Sequence, residues 1–98
     1  MGKQYLIDNE DVTLYTIGEL ARFIGREPVT IRMWESTGMI PKATYRDPSN
    51  RRLYSVIQME GLRDLCAKYM KQGVKTPAEF TDKVQELFYR KVETKTEE

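Results

Sequence analysis

Tyr15-Thr16-Ile17-Gly18-Glu19-Leu20-Ala21-Arg22-Phe23-Ile24-Gly25 opens like a helix and closes like one. Thr16 and Glu19 have capping-box spacing, in which the hydroxyl takes an orphan helical N–H and the carboxylate reaches back to the cap. Ile17, Leu20, Ala21 and Ile24 give one apolar face, and Gly25 supplies the left-handed residue that ends the helix. Only Arg26 and Glu27 separate that glycine from Pro28-Val29-Thr30-Ile31-Arg32-Met33-Trp34-Glu35-Ser36-Thr37-Gly38. A first-turn proline and a second terminal glycine mark another short helix. With so little chain between them the helices must cross, which is the geometry of a helix-turn-helix. Ile31 and Trp34 face the first helix. Val29, Thr30, Arg32, Met33 and Ser36 are left on a surface that fits a groove.

Downstream, Met39-Ile40-Pro41 reads as an extended connector, because a residue before proline is pushed out of the helical region. Lys42–Arg46 and Arg51–Tyr54 are strand-like segments joined by the turn-forming Asp47-Pro48-Ser49-Asn50. The predicted hairpin combines Lys42, Arg46, Arg51 and Arg52 with Tyr45 and Tyr54, a composition suited to gripping phosphates. Ser55 and Gln58 form a second capping box. The helix they open is expected to carry Ile57, Leu62, Leu65, Cys66, Tyr69 and Met70 as far as Gly73. Thr76-Pro77 opens a fourth helix with Phe80, Val84, Leu87, Phe88 and Val92 on one stripe.

Upstream, Tyr5-Leu6-Ile7 is open to two readings, an extra strand or an arm that orders on a partner. The predicted organisation is an N-terminal arm (1–13), a helix-turn-helix and hairpin unit (14–75), a C-terminal helix (76–93) and a frayed tail (94–98). The stripe of Phe80, Val84, Leu87 and Phe88 either packs on its own domain or forms a dimer interface, and the need of so short a chain for a core favours packing.

The 98 residues hold 40% hydrophobic and 32% charged side chains, enough for one modest core. No histidine is present and Cys66 is alone, which excludes Cys/His metal cages, Ser-His-Asp and Cys-His catalysis, and disulfide frameworks. No cofactor, metal, membrane span or catalytic activity is expected. The absence of an apolar leader pattern makes a cytoplasmic location the expectation. A net charge of +1 hides polarity. Lys3 stands against Asp8, Glu10, Asp11 and Glu19 near the N-terminus, whereas Lys42, Arg46, Arg51 and Arg52 stand against Asp47 alone in the hairpin. Asp8, Glu10 and Asp11 lack the glycine and ligand spacing of a calcium loop.

Helix, turn, helix, basic hairpin, helix, in that order, resembles the N-terminal DNA-binding domain of MerR-type regulators. That domain is a winged helix-turn-helix also found in phage excisionases, small terminase subunits and BldC-like proteins. The residues carrying the resemblance are Tyr15–Ala21, Thr30-Ile31-Arg32, Trp34-Glu35, Gly38, Pro41 and Arg52-Leu53-Tyr54-Ser55. It implies a mainly α winged helix-turn-helix with a two-stranded wing and two further C-terminal helices. It also implies that Thr30, Arg32 and an edge of Trp34 face double-stranded DNA, with Arg52 and Tyr54 in the wing and Thr16 presenting a helix end to a phosphate. Val29 and Met33 stand where the family commonly has an arginine and an aromatic residue, so base preference is not inherited. Arg26 and Lys42 lie where a DNA backbone would pass.

The expected function is a small sequence-specific transcription regulator without a ligand sensor, acting as a homodimer or a cooperative array. The first alternative is a phage or mobile-element excisionase, packaging or partition factor. The second, of another class, is a module that binds an acidic protein partner.

Overall fold

The computed structural model describes residues 2–71, 73 and 75–89. Two strands come first. β1 (Lys3–Ile7) and β2 (Glu10–Thr16) form an antiparallel hairpin around Asp8 and Asn9, whose φ angles of 51° and 67° match the twist of the flanking strands. Of the two readings open for Tyr5-Leu6-Ile7, the backbone adopts the strand. The predicted boundary between an arm and the domain therefore falls inside β2.

Thr16 then caps α1 (Ile17–Ile24): its hydroxyl accepts the Glu19 N–H at 3.2 Å while the Glu19 carboxylate accepts the Thr16 N–H at 2.8 Å. Such a cap contributes about 1 kcal/mol. Gly25 at φ 75° stops the helix, and α2 (Pro28–Ser36) starts three residues later. β3 (Tyr45–Arg46) and β4 (Arg52–Ser55) flank the turn at Asp47–Asn50, and α3 (Val56–Tyr69) and α4 (Ala78–Tyr89) complete the described chain. The expected fold thus needs a correction in its sheet. β4 pairs with β2 as well as β3, giving one sheet in the order β1-β2-β4-β3. The wing is the end of this sheet and not a separate two-stranded ribbon, although helix still outweighs strand.

One core joins all four helices to the sheet. Leu20, Ala21 and Ile24 of α1, Ile31 and Trp34 of α2, Leu62 and Cys66 of α3, and Phe80, Val84 and Phe88 of α4 pack around Ile40 and Tyr54. Phe80 receives ring edges from both sides, with centroids 6.4 Å from Trp34 and 6.3 Å from Tyr69. α3 and α4 approach closely at Gly61, where an added Cβ would lie 2.6 Å from a Leu87 methyl. One expectation fails here, and the stripe on α4 takes the packing role favoured for it. Ile57 is half exposed, and Met59 fills the core position in its place. Phe80, Val84 and Phe88 are fully used by their own chain, so the stripe offers those side chains to no dimer partner. Val92, the tail from 94 and the end of the expected C-terminal helix lie outside the described residues.

Candidate nucleic-acid interface

α2 is two-sided because Ile31 and Trp34 are spent on the core. The opposite side carries Val29, Arg32, Met33 and Ser36, spaced i, i+3, i+4 and i+7 and all exposed. Val29 keeps 63% and Met33 54% of its surface in water, a high apolar exposure for a short helix with a long cationic side chain between them. Thr30 is half buried at the edge of this stripe. Ser36 completes the stripe at the last turn of the helix. Its hydroxyl donates to the Met33 carbonyl at 3.1 Å.

The orientation of the wing relative to α2 is set by Glu35. Its Oε1 accepts from Arg52 Nη2 at 2.7 Å and Nε at 3.0 Å, and its Oε2 accepts the Ala43 N–H at 3.0 Å. One carboxylate thereby joins the recognition-type helix, the connector and the central strand. Burial works to raise the Glu35 carboxyl, but the Arg52 and Ala43 hydrogen bonds and the nearby positive charges outweigh it and hold the group below its ordinary 4.5. Arg52 is raised in turn, chiefly by its bond to Glu35. Sequence spacing offers Arg32, three residues away, as the partner of Glu35; the structure supplies Arg52 from another element.

α4 holds the same junction from behind. The Thr44 hydroxyl donates to the Phe88 carbonyl at 3.0 Å and accepts from Gln58 Nε2 at 3.0 Å, while the Thr81 hydroxyl donates to the Met39 carbonyl at 2.9 Å. Tyr54 lies beneath, 1% exposed, and its hydroxyl has no hydrogen-bond partner among the described residues. Burial, the leading cause, pushes its phenol up to about 12, against the opposing positive charges of Arg52, Arg46 and Arg32.

The remaining expected contacts divide. Lys42 is exposed at the entrance to the wing and Tyr45 is half buried within it. Arg46 donates to the Asn50 carbonyl at 3.1 Å, and Arg51 is bonded to Asp47 at 3.1 Å with 77% of its side chain in water, so both stay at the wing surface while bracing its turn. Arg52 and Tyr54 do not face outward as expected. The first is held by Glu35 and the second is core. Trp34 is 8% exposed and meets Phe80, because the crossing of two short helices needs a large side chain between them. Arg26 turns toward the far end of α3, within 3.9 Å of Met70 Sδ and 6.0 Å from the centroid of the Trp34 ring. At Thr16 the helix end is already closed by the Glu19 carboxylate. The adjoining 230 Å³ cleft balances Lys3 and Arg51 against Glu19 and Asp47, so it does not concentrate positive charge. Cys66 is buried, which raises its thiol, and no group of three metal-ligating side chains occurs among the described residues. No helix among them is long and apolar enough to cross a membrane.

A helix-turn-helix whose second helix bears an exposed mixed stripe, set beside a basic wing, defines a nucleic-acid-binding regulatory domain. The profile of the MerR HTH family regulatory proteins matches residues 15–74, and the chain belongs to that family. No curated protein and no solved structure matches it.

Proposed function

We propose that the protein is a transcription regulator that recognises specific double-stranded DNA through the outer face of α2. The carrying observation is the stripe of Val29, Arg32, Met33 and Ser36 opposite the buried Ile31 and Trp34. Arg32 offers a bidentate fork for a guanine edge or a phosphate, and Val29 and Met33 suit thymine methyl groups. Thr30 borders this surface. Lys42, Arg46 and Arg51, with Tyr45 beside them, serve the flanking backbone, a sequence-independent role. Arg52 acts through Glu35 by fixing the angle between α2 and the wing.

A single unit of this size makes few phosphate contacts, and counterion release erodes such binding steeply with salt. Occupancy is therefore assigned to a homodimer or a cooperative array on repeated sites. Its contacts must lie outside Phe80, Val84 and Phe88.

Selection of bound fragments from a random DNA pool, repeated with Arg32→Ala, tests the reading. A defined motif that relaxes at one position in the variant is expected. Equal weakening on selected and random DNA would remove base reading from α2, and no retardation of any fragment at low salt would remove DNA altogether.

A further inference from the structure

β2 is longer than the strand beside it. β4 pairs with Leu14, Tyr15 and Thr16 and then turns into α3 at Ser55, so no strand among the described residues continues alongside Glu10–Thr13 on that side. The hairpin register determines which backbone groups this leaves bare. With a two-residue turn, Ile7 and Glu10 exchange both of their hydrogen bonds, as do Tyr5 with Val12 and Lys3 with Leu14. The N–H and C=O groups of Asp11 and the N–H of Thr13 therefore point away from β1, into the space β4 has vacated, while the Leu14–Ser55 pairing takes up the Thr13 carbonyl.

That space is a groove of about 430 Å³ between the bare edge and the start of α3. Its far wall is Val56 and Ile57, 43% and 50% exposed, two adjacent apolar residues at a helix start where capping needs neither. Its rim is acidic. Glu10 and Asp11 line it, and no lysine or arginine does. An acidic rim repels phosphate, so the groove is no extension of the α2 surface.

We propose that this groove receives an extended, cationic segment of a partner protein, which adds a strand to β2 in line with β4. Four edge residues at about 3.4 Å each span roughly 14 Å, enough for a strand of about four residues. Backbone bonds to Asp11 and Thr13 supply the pairing. Alternate side chains of the segment then divide between an apolar face against Val56 and Ile57 and a lysine or arginine face toward Asp11, with Glu10 on the other face of the sheet adding negative charge at the end of the groove. DNA and a protein are thereby held on separate surfaces of one small domain, as recruitment of other machinery to a bound site requires.

The experiment uses the full chain, ¹⁵N-labelled, titrated with the peptide acetyl-Lys-Val-Lys-Val-Lys-Val-amide and with its counterpart carrying glutamate in place of lysine. Amide shifts confined to residues 10–13 and 55–57 are expected with the lysine peptide only, together with slowed hydrogen exchange at the Asp11 and Thr13 amides. The double variant Asp11→Asn with Ile57→Ser alters exposed side chains and should bind that peptide at least tenfold more weakly, with the DNA motif selected through α2 unchanged. Four results overturn the proposal: no shifts, equal response to the glutamate peptide, shifts centred on α2 and the wing, or concentration-dependent shifts of the same amides without peptide, which would give the groove to a second copy. None of these bears on DNA recognition by α2, which the fragment selection reads separately.

Discussion

α2 and the wing are both basic and adjacent, yet they hold their charges differently. Arg32 is exposed and forms no ion pair among the described residues. In the wing, Arg52 is bound to Glu35, Arg51 to Asp47 and Arg46 to a turn carbonyl. Charges already engaged by the protein must exchange a partner before they gain a phosphate, which reduces what each contributes. A basic cluster thus has two jobs, shaping the wing and touching DNA. Counting cations in a sequence does not separate the two.

The sharpest way to break this contrast is to release the frame on which both regions rest. Phe80→Ala removes the ring between Trp34 and Tyr69 and should cost about 3–5 kcal/mol, read as a fall in the urea midpoint. Both regions would then lose DNA together, in proportion to unfolding. Glu35→Ala comes next. A fully buried pair costs more to break, but Arg52 keeps 28% of its side chain exposed, so about 2 kcal/mol is expected. The pH dependence carries a sign. Because the folded Glu35 carboxyl lies below its ordinary 4.5, its stabilisation is complete above that value and is lost as pH falls through the folded value. Urea titrations should show the wild type weakening below about pH 4.5, and Glu35→Ala weakening less over the same window. An identical acid profile in the variant would mean that other carboxylates dominate.

What the sequence discloses about these regions follows the range of the interactions concerned. The capping boxes at Thr16 and Ser55, the stop at Gly25 and the proline start of α2 are settled within four residues, and all four stand in the structure. The two-sidedness of α2 is likewise periodic and legible. Arg52 is different: its partner is 17 residues away on another element, and nothing local distinguishes it from Arg51 next door. Tyr54 carries the same ambiguity, since a tyrosine at a strand end suits core and surface equally. The β1–β2 hairpin was readable in principle, with Asp8-Asn9 flanked by Tyr-Leu-Ile and Val-Thr-Leu. Asp and Asn tolerate the positive φ such a turn needs, but the same pattern fits an arm that orders on a partner, so the residues alone leave both readings open. The bare edge of β2 follows only from the pairing with β4, which no local pattern announces.

Within the interface itself, Arg32→Ala should sharpen the contrast. Losing a bidentate base contact costs about 1–3 kcal/mol against the selected site and much less against random DNA. Fluorescence anisotropy on both fragments gives the difference directly. A loss shared by the two fragments would make Arg32 a backbone contact like those in the wing.

Arg51→Ala is the smallest expected effect and the one that tests the wing most cleanly. Arg51 is 77% exposed and its bond to Asp47 is a surface pair, so folding stability should move by less than about 0.5 kcal/mol. Because Asp47 also accepts the Arg51 backbone N–H at 2.8 Å, the turn keeps its shape without the side chain. If the guanidinium leaves Asp47 for a phosphate, the slope of log affinity against log salt should fall by about 0.9, equally on selected and random DNA. If it stays with Asp47 in the complex, the slope will not change, and Arg51 belongs with Arg52 among the cations that build the wing.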